Sequence, residues 1–162
     1  MLRISQQVYD AIRQHGEETW PHECCGVLLG RFTTDSGAMI NDVEEAIRAG
    51  NTRTDSAHNR YNIAPRELVG IQRSGRNRGL EVVGFYHSHP DHPALWSPTD
   101  FAEAHWLGCS YVITAVEKGS ARQTNSFLLT GDTEERKAFE YERIEVTGQL
   151  EPGLETESEP VS

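Results

Sequence analysis

One stretch constrains this chain more than any other: Leu80-Glu81-Val82-Val83-Gly84-Phe85-Tyr86-His87-Ser88-His89-Pro90, followed closely by Ser97-Pro98-Thr99-Asp100. Its first half is an apolar, β-branched run with glycine at either end, which predicts a buried strand. Residues two apart on a strand share a face, so His87 and His89 can aim both imidazoles into one site while Ser88 points away. Pro90 cannot donate to a ladder, so the strand is expected to stop there with the pair at its end. Ser97-Pro98-Thr99-Asp100 has the form of a helix start, with serine at N-cap, proline at N1 and an acid at N3. Asp100 follows His89 closely enough to return as a third ligand. Two imidazoles, one carboxylate and an open fourth position form the usual pattern of a catalytic zinc site.

A lone His-x-His is weak, and Ser-x-x-Asp alone is an ordinary cap. Together they are specific. His87-Ser-His89, seven residues beginning with Pro90, then Ser97-x-x-Asp100 resembles the JAMM motif of the MPN-domain metallopeptidases, in their short prokaryotic form. Pro21-His22-Glu23-Cys24-Cys25-Gly26-Val27-Leu28-Leu29-Gly30 is similar to that family's upstream glutamate segment, and the similarity runs from about Leu2 to about Val146. The resemblance implies an α+β fold, MPN/JAMM-like and cytidine-deaminase-like, with a mixed central sheet flanked by helices. It implies one zinc ion per chain on His87, His89 and Asp100, Glu23 as general base and Ser97 as oxyanion donor. The reaction it implies is hydrolysis of a peptide or isopeptide bond after the C-terminal glycine tail of a ubiquitin-like or sulfur-carrier protein. The alternative is a catalytically silent MPN-type interaction scaffold, which has no use for a base or an oxyanion donor. A zinc deaminase needs His-x-Glu and Pro-Cys-x-x-Cys, and the chain has neither.

Length suits one domain over 1–146, large enough for a core without disulfides, with 147–162 as an acidic disordered tail. Net charge is −10, and Glu151, Glu155, Glu157 and Glu159 supply four of those charges. An acidic surface argues against nucleic acid. No apolar run has the length of a membrane span, and the N-terminus has no signal-peptide pattern. Three cysteines, two adjacent, make no disulfide framework, so a reducing cytoplasm is the expected location. Cys24 and Cys25 are soft enough to ligate zinc, but core packing is the better expectation.

Along the chain, Leu2–Ile4 reads as an edge strand, and Ser5 caps a helix from Gln6 to about Thr19 through Val8, Ala11, Ile12 and His15. Cys24–Leu29 reads as a buried strand ending at Gly30, and the segment from Phe32 to Gly37 as a turn. Ala38–Ala49 fits a helix by periodicity, whereas the family resemblance implies a strand, which we follow. Gly50–Arg60 reads as a loop, Tyr61–Ile63 as a short strand, and Pro65 as the start of a helix to about Arg76 that turns Leu68, Val69 and Ile71 inward. Arg73, Arg76 and Arg78 form a basic turn, either solvated or touching an acidic partner. Trp96 either packs on the domain or lines the substrate groove. The helix that starts at Ser97 is expected to continue from Phe101 through Leu107 and carry His105. Cys109–Val116, Asn125–Thr130 and Ala138–Val146 read as strands, with Gly119 and Gly131 at turns.

Overall fold

The computed structural model describes residues 1–50 and 62–148. The Ser5 hydroxyl accepts the Val8 amide at 3.2 Å and starts α1 (Gln6–Thr19), whose buried stripe is Ile12, His15 and Gly16. Pro65 opens α2 (Pro65–Asn77), and Ser97 caps α3 (Pro98–Glu103).

The strands are β1 (Leu2–Ser5), β2 (Cys25–Asp35), β3 (Ala38–Ala49), β4 (Glu81–Pro90), β5 (Ser110–Glu117), β6 (Ser120–Thr130), β7 (Ala138–Glu142) and β8 (Ile144–Thr147). They form one mixed sheet in the order β7-β6-β5-β4-β2-β3-β1-β8. β4 runs parallel to β5, and β1 runs parallel to both β3 and β8. The end strands β7 and β8 are separated only by Arg143, so the sheet curls until its two ends meet. The fold is α+β, as the sequence implies.

Two larger core clusters form among the described residues, one on each face, beside a smaller one of Ala94, Ile113, Ala115 and Phe127. Ile12 and partly buried Val8 of α1 pack with Ile4, Leu28, Val83 and Tyr86. Leu68 and Ile71 of α2 pack on the other face with Val27, Leu29, Val82 and Phe85. Buried between these layers, β4 is covered from Val82 to Pro90. Its register against β2 slips by one residue at Val83, because Leu28 faces Gly84 and Leu29 faces Val82. Beyond the slip, Phe85, His87 and His89 share one face, and Tyr86 and Ser88 share the other, towards α1. Gly26 is required opposite Tyr86, since a Cβ there would lie 2.1 Å from the Tyr86 ring.

Several expectations need correction. β1 is not an edge strand, because β8 returns from the far end of the chain to cover it. β2 runs past Gly30 to Asp35, which leaves only Ser36 and Gly37 to turn, both at positive φ. Val69 is 52% exposed, about 100° around the helix from Leu68 and off the stripe of Leu68 and Ile71. The helix after Ser97 stops at Glu103, because Ala104 turns extended and is wholly buried. His105 therefore lies outside any helix, exposed, with Nδ1 3.0 Å from a Glu134 oxygen. Thr147 belongs to β8, paired with Ser5, one residue past the expected domain end. The expected 51–60 loop, Tyr61 and the tail from 149 onward lie outside the described residues. Cys24, Cys25 and Cys109 are buried and free, and Arg78 reaches Glu45. Among the described residues no helix is long and apolar enough to cross a membrane.

Candidate active site

β4 delivers His87 and His89 to its C-terminal end, both buried. Asp100 arrives from the first turn of α3, where it forms a reciprocal box with Ser97. The Ser97 amide donates to Asp100 Oδ2 at 2.9 Å, and the Asp100 amide donates to Ser97 Oγ at 3.0 Å. The His87 and His89 Nε2 atoms are 3.2 Å apart. Asp100 Oδ1 is 3.3 Å from His87 Nε2, and Oδ2 is 3.1 Å from His89 Nε2. The three ligand atoms all lie within 4.8 Å of one another.

The chemistry of this donor set tests whether a metal fits. His89 Nδ1–H donates to the Pro93 carbonyl at 2.8 Å, so in the neutral ring Nε2 presents a bare lone pair. That lone pair faces a carboxylate oxygen, acceptor against acceptor. Such an arrangement holds only with a proton or a cation between the two groups. A metal ion fits, and the Pro93 carbonyl supplies the outer-shell bond that ligating histidines generally make.

The electrostatics agree. Burial opposes ionisation of Asp100, but positive charge placed between it and His87 and His89, together with the Ser97 amide bond, holds it well below the usual carboxylate range. Burial lowers the pKa of His87, although Asp100 pulls the other way. Burial also acts to lower His89, but its bonds to Asp100 and the Pro93 carbonyl outweigh that and raise it. His87, His89, Asp100 and Ser97 thus fall together, two ligands from β4 and the third from the start of α3.

Glu23 reaches the same place from the segment just before β2. Cys25, two residues on, pairs with His87 in the antiparallel register, which brings Glu23 to the His89 end of β4. Glu23 is 5% exposed, and burial pushes its carboxyl up to about 8. Neighbouring His89 opposes that rise, while the charges of Asp100 and Glu103 add to it. A cavity of about 310 Å³ is lined by Glu23, His89, His92, Pro93, Leu95, Trp96 and Ser97. Trp96 packs on the domain, as one of the two readings had it, and also lines this cavity. Its ring packs at 5.5 and 5.6 Å from those of Phe101 and Phe139, and at 41% exposure it also walls the cavity. Leu95, half exposed beside it, was not singled out in the sequence. The signal was available, because the residues between Pro90 and Ser97 must border any site held by both ends. A larger cavity of about 520 Å³ lies across His92 and Pro93 and contains none of the five site residues.

Comparison with known proteins agrees with this geometry. Residues 5–129 match the family model described as prokaryotic homologs of the JAB domain. A desampylase from Haloferax volcanii is 34% identical over 119 residues, which is 69% of this chain and 78% of that protein. A probable TtuB-protein conjugate cleaving protease from Thermus thermophilus is 30% identical over 106 residues, 65% of each chain. The crystal structure of a JAB1/MPN domain protein from Archaeoglobus fulgidus superposes with a TM-score of 0.54. It has 16% identity, covers 91% of this chain and 98% of its own, and shares the fold.

Proposed function

From the premise that this chain belongs to the family of prokaryotic JAB-domain homologues, we propose that it is a zinc-dependent isopeptidase. Its substrates are conjugates of a ubiquitin-like or sulfur-carrier protein, cut after the carrier's C-terminal glycine. The carrying observation is the convergence of the His87, His89 and Asp100 ligand atoms beside a cavity that Glu23 and Ser97 also line. The names of the desampylase and of the TtuB-conjugate protease support this substrate class. The three free cysteines suit a reducing cytoplasm.

His87, His89 and Asp100 would hold the metal, and this nitrogen and oxygen donor set suits zinc. Zinc there would supply Lewis acidity and make water acidic enough to react near neutral pH. Glu23 takes the proton of the water that attacks the amide carbonyl and returns it to the departing amine. Burial has moved its proton affinity close to neutrality, where a group that must both take and give is most effective. The cap bond occupies a lone pair of Ser97 Oγ and leaves its O–H able to donate to the oxyanion. Trp96 and Leu95 wall the cavity beside the scissile bond.

The test is incubation of purified, zinc-loaded protein with a carrier ending in Gly-Gly, either linked to a lysine or extended by one residue, followed by mass spectrometry. Release of a free Gly-Gly terminus is expected. Intact conjugate after prolonged incubation, with zinc bound, would count against the substrate class.

A further inference from the structure

We infer that Ser88, between the two histidines and on the opposite face of β4, is the positioning residue for Glu23. The inference rests on the assignment of Glu23 as base. An antiparallel ladder should continue from the Cys25–His87 pair to Cys24 and Ser88, and only half of it does. The Ser88 amide donates to the Cys24 carbonyl at 3.2 Å, but the Cys24 amide donates to the Ser88 side chain, Oγ, at 2.9 Å. The ladder is thus closed by a hydroxyl at the peptide that joins Glu23 to Cys24. Both partners are nearly inaccessible, with Ser88 1% and Cys24 3% exposed.

The hydroxyl is itself held. α1 presses its backbone against Ser88 at Gly16, where a Cβ would lie 3.2 Å from Ser88 Cβ and 3.0 Å from Val116 Cγ2. After that helix the chain is tied by a Thr19 hydroxyl bond to the His22 carbonyl at 3.2 Å and a His22 amide bond to the Thr19 carbonyl at 2.9 Å. The segment carrying Glu23 is therefore fixed at His22 by the end of α1 and at Cys24 by Ser88. A catalytic group displaced by about 1 Å can lose on the order of 10²-fold in rate. Ser88 touches neither metal nor substrate, and acts only through the Glu23–Cys24 peptide.

The decisive pair is Ser88→Thr against Ser88→Val, equal in shape and different only in the hydroxyl, with Ser88→Ala as the smaller control. Two readouts are taken: hydrogen exchange of the Cys24 amide in the metal-free protein, and metal content with kcat and KM for the zinc-loaded enzyme. The Val and Ala variants are expected to exchange the Cys24 amide at least about tenfold faster. They should keep one zinc and the wild-type KM, and lose about 10- to 100-fold in kcat. The Thr variant, which brings the same added methyl as Val into this packed site, should keep at least about tenfold more kcat than Val and a correspondingly slower Cys24 exchange. Equal behaviour of Thr and Val, or loss of zinc or of the fold in Ser88→Ala, overturns the inference. Should the wild type itself release no carrier, the proposed function fails, while the exchange data still decide whether Ser88 holds the Glu23–Cys24 peptide.

Discussion

Ser97 and Asp100 hold each other in place, each side chain accepting the other's backbone amide at 3.0 and 2.9 Å. The same four-residue box therefore fixes a metal ligand and the oxyanion donor. Its Asp100 half needs a charge, and its Ser97 half needs a hydroxyl.

Ser97→Ala is expected to cost on the order of 10²–10³ in kcat, as loss of an oxyanion donor typically does. Loss of the cap should also remove about 1 kcal/mol of stability. Steady-state kinetics and urea unfolding separate the two effects. A variant destabilised by that amount but fully active would leave Ser97 a cap and nothing more.

Asp100→Ala and His87→Ala should both bind no zinc at stoichiometric concentration, because each leaves two ligands of three. Plasma emission spectrometry after desalting measures this directly. Chelation of the wild type should abolish turnover reversibly, with recovery on adding zinc.

Much of this site was legible because it is encoded locally. The spacing of His87 and His89 sets their common face, and Ser97-Pro98-Thr99-Asp100 writes out its own cap. The first helix was equally plain from Ser5, Val8, Ile12 and His15. What escaped depends on distant pairing. Nothing near Leu2–Ser5 announces that Ile144–Thr147 will cover it. Ala104 ends α3 early because it is drawn into the core beside Leu129 and Val82, a demand that helical periodicity does not register. Ala38–Ala49 is the strand that the family resemblance implied, and the helical spacing of Ile40, Val43 and Ile47 yields there to the long pairing with β2. Glu23 was found by resemblance, since a carboxylate before an apolar strand has no local explanation.

Trp96→Ala should raise KM several-fold with kcat changed less, since the ring borders the cavity and is not one of the ligand residues. Its contacts with Phe101 and Phe139 predict a stability loss of about 1–2 kcal/mol, below the 3–5 expected for a fully buried aromatic. A changed kcat with constant KM would speak against a binding role.

His15 makes stability depend on pH. Burial and the charge of Arg48 lower its pKa from 6.5 to about 4, against the pull of Glu18, and its Nδ1 lies 2.8 Å from the Tyr86 hydroxyl oxygen. The folded state thus binds the His15 proton less readily than the unfolded state does. Its contribution is fully present above pH 6.5 and is lost as pH falls towards 4. Urea unfolding of wild type and His15→Gln at pH 7.5 and 4.5 checks the sign. The wild type should lose more stability across that interval, and an equal loss in both would remove His15 as the cause.

The central claim is that Glu23 acts as a base beside a metal it does not bind. Zinc content and release of a Gly-Gly carrier, measured on wild type and Glu23→Gln in parallel, test it most directly. The account predicts one zinc per chain in both proteins, turnover in the wild type, and at least about 10³-fold less in the variant, as expected for loss of a general base. Turnover surviving in Glu23→Gln would contradict the assignment of the base. Absence of zinc from wild type purified without chelator would contradict the metal centre itself and favour an interaction scaffold.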